Sequence, residues 1–559
     1  MLRRLALLVL LAGAFAAPAH AQGTTLMPGV TFEKTVEFTP HGAVVVNVIT
    51  APRPGGLYQL GPVLAHGTIS GGLERVSQIE HDVSAQATAV GIDGDSVDAK
   101  AGTPSGIVLQ GGALWHAPVG TRSSTGIDGA GSLHVDRVKF SGTWQGTGQR
   151  RPLAGVNQPP AAGSVVLYTT AWGAPVPKAA GSADVILDHF PPATPNTVVS
   201  APVTATGAGG GETIPPLGAV LVATGDAAAK LQAEAPVGTT LSIRLVLQPS
   251  WDGVTTALGG GPVLVRGGKA VFRNGESFTN DQVTSRSPRA AVGQLADGRI
   301  LLVAVDGGQP GYSVGLTSFE LARTMTQLGA VTASAVDSGS SVSAAFDGQL
   351  LDRPYKEHAV KEALLVQYFG VYAPEPSLPL VDGDPGSTGE QLSYKLVRPS
   401  TVTAQLIGPD GAAHVLEAGV AHDPGTYQFS FGTFDREGTW HWNVAATDDL
   451  GRASTADRTF RFDTTLKALS VPKAARGSVP IRFTLTRAAS VRVQIETSKG
   501  VVVATLPASS LAPGEQSVTW DGSLPQGTRA YAGAYVAHVF ATSIVGTSDL
   551  STNFSYRRG

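Results

Sequence analysis

The chain has 559 residues, a formal net charge of −3, 15% charged residues, 69 glycines, 37 prolines and no cysteine. So small a charge gives no bulk attraction to nucleic acid or to an anionic membrane, and the missing thiols exclude a cysteine nucleophile and Cys-ligated zinc. Abundant Gly and Pro among many Val and Thr runs predict a strand-rich protein with many turns, and the length predicts about three or four domains.

In chain order, Arg3 and Arg4 precede a short apolar run from Leu5 to Phe15, and Ala19-His20-Ala21 has the form of a cleavage site. This reads as a signal peptide over 1–21, so the mature chain is expected to be exported, soluble and secreted or cell-surface associated. No later stretch has the length and apolarity of a membrane span, and Tyr556-Arg557-Arg558-Gly559 follows no hydrophobic tail. Buried strands are predicted at Val44–Ile49, a run broken only by Asn47, and at 165–170, 219–224 and 300–305. Thr317 with Glu320 forms a capping box, after which Phe319, Ala322, Met325 and Leu328 recur at helical spacing and Gly329 ends the helix. A strand over 331–336 follows. Pro374-Glu375-Pro376 then opens a linker through Asp382-Gly383-Asp384-Pro385-Gly386.

Beyond the linker lies a repeat. Leu392–Arg398 is echoed by Ile481–Arg487, Val402 by Val491, Gln405 by Gln494 and Gly425 by Gly514. Each unit is about 85–90 residues of short alternating strands, a whole domain and the sequence form of an immunoglobulin-like sandwich. Thr519-Trp520-Asp521-Gly522 and Gly533-Ala534-Tyr535-Val536 resemble signatures of the modules found in flagellar-hook-cap-type proteins. Such modules space, stabilise or bind.

The motifs with chemistry lie between these regions. They read Ser287-Pro288-Arg289-Ala290-Ala291-Val292-Gly293, then Val305-Asp306-Gly307-Gly308-Gln309-Pro310-Gly311-Tyr312-Ser313, then Asp337-Ser338-Gly339-Ser340-Ser341. Upstream stand Ile92-Asp93-Gly94-Asp95, Pro104-Ser105-Gly106 and Gly259-Gly260-Gly261-Pro262. In this order and spacing they resemble the phosphodiester glycosidase family, whose best-known activity removes N-acetylglucosamine from a mannose-phosphate tag. The expected architecture is α+β: a mostly β glycosidase-like domain with few helices over 29–374, a linker over 375–390, and sandwiches over 391–464 and 465–559.

Cleaving a sugar from a phosphodiester passes through an oxocarbenium-like state with an anionic leaving group. It calls for carboxylates near the anomeric carbon and for cations and amides near the phosphate. Asp306 and Asp337 follow apolar strands on Gly- and Ser-rich loops and are the candidate catalytic carboxylates, with Arg289 as the phosphate-holding cation. Asp93, Asp95, Ser105, Gly307, Gly339 and Ser341 are candidate substrate-binding positions. Asp93 and Asp95 would take sugar hydroxyls or a divalent cation, Ca²⁺ or Mg²⁺, since hard cations prefer oxygen ligands. None of the twelve histidines falls in an H-x₃-H or H-E-x-x-H pattern, Gly209–Gly211 lacks the Lys of a P-loop, and there is no G-x-S-x-G elbow.

The chain departs from the family in places. Ser96-Val97 stands where two phenylalanines are usual, Gly308 replaces an Arg, and Ser338 and Ser340 replace glycines. After Arg353-Pro354 the usual Gly-Gly-Glu-Arg-Pro is reduced to Lys356-Glu357-His358-Ala359, where a protonated His358 restores part of the charge. The first expectation is therefore a secreted glycosidase acting on a sugar phosphodiester or cell-envelope glycan. The alternative is a catalytically degenerate glycan-binding or structural surface protein.

Overall fold

The computed structural model describes residues 23–98, 100–271, 275–377, 380–381, 390–431, 436–525 and 527–558. Residues 1–21, where a signal peptide is expected, lie outside the described residues, as do 382–389 of the expected linker. The molecule is mostly β, with few helices and many sheets. It divides into two compact units. One comprises Gly61–Ile79, Gly91–Leu364 and the described part of Met1–Arg53, and the other Pro54–Leu60, Glu80–Val90 and the described part of Leu365–Gly559.

An eight-stranded sheet organises the first unit. Its order is Thr24–Met27, Val30–Thr39, Gly42–Ala51, Ile300–Val305, Arg289–Leu295, Ala330–Ser338, Val263–Arg266 and Lys269–Ala270. The central strands are apolar on both faces, and every residue of Ile300–Val305 is buried. Their ladder sets Arg289 opposite both Val305 and Ser338. The loops that follow Val305 and Ser338 therefore leave the sheet side by side, so motifs distant in sequence meet at one sheet end. A second eight-stranded sheet, running from Arg151–Leu153 to Gly155–Val156, carries a core of its own around Trp144, Leu167, Leu221 and Leu245.

The helix spans Ser318–Gln327 and its capping box is present on both sides. Thr317 Oγ1 accepts from Glu320 N, and Glu320 Oε2 accepts from Thr317 N. Gly329 follows it at φ +91°, the left-handed conformation that stops a helix. The predicted stripe drifts, however. Steps of three fall short of a full turn each time, so the buried face runs through Ser318, Leu321, Ala322 and Met325, and Phe319 is exposed. Thr317→Ala is expected to cost about 1 kcal/mol of stability. Thermal unfolding checks this, and Thr317→Asn should restore most of the loss.

In the second unit the repeat is structural. Glu390–Leu396 pairs with Gly425–Phe431, Leu396 opposite Gly425, while Val479–Leu485 pairs with Gly514–Trp520, Leu485 opposite Gly514. Each pair faces a five-stranded sheet built around Ser400–Ile407 or Ala489–Thr497. Trp442 is buried against Phe429, and Trp520 against Tyr535 and Tyr556. The Trp520 and Tyr535 signatures thus meet in a core, their ring centroids 5.8 Å apart, which accounts for aromatic residues at those positions.

Candidate active site

The loop after Ile300–Val305 turns on Asp306, which is buried. Its Oδ1 accepts from Arg353 N at 3.0 Å. Its Oδ2 accepts from the Tyr312 hydroxyl at 2.9 Å and from Asn47 Nδ2 at 3.2 Å. Both oxygens are engaged, which compensates the buried charge and ties three remote segments together. Burial and the adjacent Asp306 raise the Tyr312 hydroxyl above the usual phenol range, and the Arg353 guanidinium lies 4.7 Å over its ring. At Gly307 a Cβ would stand 2.6 Å from Pro288 N, so only glycine fits. Gly308, at φ +67°, faces open space. There a cavity of about 280 Å³ opens, lined by Gly308, Ser340, Tyr355, Lys356 and His358 among others.

A second group of carboxyls lies beside this loop. Thr88–Asp93 ends on Asp93, fully buried, and Ala330–Ser338 brings Asp337 to it. Asp93 Oδ1 accepts from Ser343 N at 3.3 Å, whereas its Oδ2 has no donor. Asp337 stays partly exposed and accepts a short hydrogen bond from Ser341 Oγ. Burial first, and then the Asp337 carboxylate, push the Asp93 carboxyl well above the usual range, and burial also raises Asp337. Two like charges in contact in a poorly solvated place cannot both persist, so the pair holds one proton between them.

Asp95 is buried beside them. Its Oδ1 accepts from Ser96 N at 2.7 Å, and its Oδ2, without a donor, rests on Gly106 and Gly259. Burial pushes it up to about 7, against the opposing charge of Arg122. Glu362 is fully buried and raised well above its ordinary value, by burial and then by Asp95. It explains Gly94 of the Asp-Gly-Asp motif, since a Cβ there would come within 2.5 Å of Glu362 Cγ. Asp352, accepting from Ala344 N at 3.0 Å, is pushed up to about 7 by burial.

The other predicted residues fall as follows. Arg289 is buried, and all three of its nitrogens donate to backbone carbonyls, those of Leu316, Gln282 and Ser285, at 2.7–2.9 Å. Burial lowers it to about 10, opposed by Asp337. It fixes loops behind the carboxyls, holding backbone carbonyls with each of its nitrogens. Gly339, at φ +101°, donates its N–H to Pro288 O at 3.0 Å. Ser105 Oγ lies 3.2 Å from Ser96 Oγ, which also lies 3.3 Å from Asp95 Oδ1 and accepts from Arg122 Nη1 at 3.0 Å. Among the described residues no three or more His, Asp or Glu side chains form a group able to hold a metal ion. Asp93 turns to Asp337 and Asp95 to Ser96, a donor set that does not fit the expected divalent cation.

Sequence reading missed Asn47, Arg122, Tyr312, Asp352 and Glu362. Asn47 and Glu362 left a signal, a polar group interrupting or opening an apolar strand. Arg122, on a loop, left none.

A pH dependence follows. A carboxyl whose folded pKa is raised contributes stability present below its unfolded value near 4 and lost as pH rises through the folded value. Asp95 and Asp352, both pushed up to about 7, place that loss between about pH 4 and 7, with Asp93 and Glu362 adding in the same direction. His116, buried and lowered to about 4, acts oppositely, losing stability as pH falls from 6.5 towards 4. The carboxyls outnumber it. The melting temperature should therefore fall from pH 5 to pH 7, and Glu362→Gln, which cannot ionise, should flatten that fall. An unchanged pH slope in the variant would show that Glu362 does not hold a buried proton.

Comparison with known proteins locates the resemblance. Residues 194–371 match the phosphodiester glycosidase family model, and residues 468–543 the FlgD Ig-like domain model. The first match holds Arg289, Asp306, Asp337, Asp352 and Glu362, while Asp93, Asp95, Ser105 and Arg122 precede it. A hypothetical protein from Synechocystis is similar in structure, with 25% identity and a TM-score of 0.51 over 61% of this chain and 62% of that one. The chain thus spans less than two thirds of that protein's length. The catalytic domain of zebrafish N-acetylglucosamine-1-phosphodiester alpha-N-acetylglucosaminidase aligns at 12% identity and a TM-score of 0.33, over 63% of this chain and 86% of that one. No curated protein matches. Residues 194–371 are thus similar to the phosphodiester glycosidases and residues 468–543 to FlgD Ig-like domains, the two families that the motifs and the repeat resemble.

Proposed function

We propose that the chain is an exported hydrolase that cleaves sugar-1-phosphodiester bonds in envelope or extracellular glycans. The observation that carries this reading is the Asp93–Asp337 pair, two carboxyls arranged to hold one proton at the strand end whose following loop, through Ser340 and Val342, lines an open cavity. Asp337, the partly exposed member, faces the reacting sugar, and Asp93 behind it keeps the pair half-protonated. An ionised carboxylate stabilises the developing oxocarbenium, the shared proton goes to the departing phosphate oxygen, and water adds to the anomeric carbon and returns its proton to the pair. Asp306 works indirectly by fixing Tyr312 and Arg353. The remainder of the diester occupies the cavity at Gly308, with Lys356 and His358 on its walls. The two sandwiches act as spacers or anchors to the polymer.

The test is hydrolysis of a panel of sugar-1-phosphodiesters by the chain from Gln22, with and without Ca²⁺ or Mg²⁺. Release of free sugar is expected. The bare backbone at Gly308 and the engaged guanidinium of Arg289 favour a second reading, a glycan-binding protein that does not turn over. Binding across the panel without release would put that reading first.

A further inference from the structure

We infer that Arg122, outside every sequence motif, is the cation that binds the phosphoryl group at the acid pair. The inference rests on the glycosidase reading for its substrate but concerns a separate property, recognition of an anion. Each nitrogen of the buried Arg289 already donates to a backbone carbonyl, and Gly308 has no side chain, so neither motif position offers an open guanidinium edge.

Arg122 does. It is partly exposed, and its charge acts on both Asp95 and Asp337. Its plane is fixed by the Phe278 ring at 4.4 Å, by Nε donating to Ser277 O at 3.3 Å and by Nη1 donating to Ser96 Oγ at 3.0 Å. Nη2 donates to no protein acceptor, and no carboxylate stands at ion-pair distance, among the described residues. A guanidinium held flat by an aromatic face, with one edge uncommitted, suits bidentate capture of phosphate oxygens. The neighbouring acids are no bar to an anion when they hold protons. Asp93 and Asp95 are both buried, and each has an oxygen that no donor meets. Ser96 and Ser105 hydroxyls complete a polar rim. The ligand class is a phosphate ester of a sugar, and inorganic phosphate and glucose 1-phosphate are its simplest probes.

The experiment is calorimetric titration of the full chain with inorganic phosphate and with glucose 1-phosphate, comparing wild type, Arg122→Gln, Arg122→Lys and Lys356→Gln. Melting temperature serves as the control for folding. Arg122→Gln is expected to weaken both ligands at least tenfold, Arg122→Lys to retain part of the affinity because it keeps the charge but not the fork, and Lys356→Gln, on the wall of the neighbouring cavity, to weaken them distinctly less than Arg122→Gln. Unchanged binding in Arg122→Gln, a loss that follows Lys356→Gln instead, or no binding by wild type would each overturn the assignment. The two readings separate cleanly. Arg122-dependent binding without hydrolysis of any diester removes the glycosidase and keeps the site, while hydrolysis indifferent to Arg122→Gln removes the site and keeps the glycosidase.

Discussion

Asp337→Asn is expected to lower kcat for a sugar-1-phosphodiester by about 10²–10⁴-fold, the range that positioned acid–base groups contribute. Asparagine keeps the size of the side chain and can still meet Ser341, but it neither carries charge nor gives up a proton. The pair with Asp93 is then broken electrically without leaving a cavity. The sign of the stability change separates chemistry from damage. Burial raises the Asp337 carboxyl, against hydrogen bonds from Ser341, Ser338 and Asp93 that lower it, so the ionising acid costs stability as pH rises and asparagine removes that cost. The variant should melt no lower than wild type at pH 8 while turning over far more slowly. In it the Asp93 carboxyl loses its charged neighbour, and any residual rate should follow a pH profile with the acid limb displaced downwards. Thermal melting at pH 8 and kinetics across pH 4–9 check these statements. A variant that keeps full rate would remove Asp337 from the chemistry and leave Asp306, with its two occupied oxygens, as the weaker candidate.

How much of this was legible in the sequence depended on the range of the interaction. Local signals were carried intact. The Thr317–Glu320 box forms because both hydrogen bonds close within one turn, and the repeat survives as register because Gly425 and Gly514 open equivalent strands. Strand Ile300–Val305 was visible as an apolar run because both of its faces are covered. The site was legible as a list of positions, since Asp93, Asp95, Asp306 and Asp337 each sit at a strand end where a loop can present them. Their roles were not. Whether Arg289 holds a phosphate or holds carbonyls depends on residues 282, 285 and 316, whose approach is set by sheet order. Likewise the saturation of Asp306 depends on Asn47, Tyr312 and Arg353, which no spacing rule relates. Phe319 shows the same limit on a smaller scale, since a three-residue period points to a helix but drifts around it, so only packing decides which side is inside.

Gly259→Ala should produce the second large effect, about 10²-fold in kcat together with about 1–3 kcal/mol of stability. The backbone at Gly259 is not in the left-handed region, so an L-residue meets no torsional objection there. The objection is space. A Cβ at 259 would lie 1.9 Å from Asp95 Oδ2 and 2.7 Å from Gly106 Cα. Asp95 cannot retreat freely, being buried with Ser96 on one oxygen and Glu362 close by, so the carboxyl must tilt and carry the geometry around Arg122 and Asp337 with it. Gly308→Ala makes the contrast. Its Cβ meets nothing, so its cost is confined to about 1 kcal/mol for the positive φ. A double-mutant cycle then assigns the clash. In an Asp95→Ala background the offending oxygen is gone, and Gly259→Ala should cost distinctly less than it does in wild type, the remainder reflecting Gly106. Costs that add to within about 0.5 kcal/mol would mean that Asp95 and Gly259 do not touch. Coupling would establish that the Gly-Gly-Gly-Pro turn is glycine at 259 because a carboxyl of the acid cluster occupies the place of a side chain.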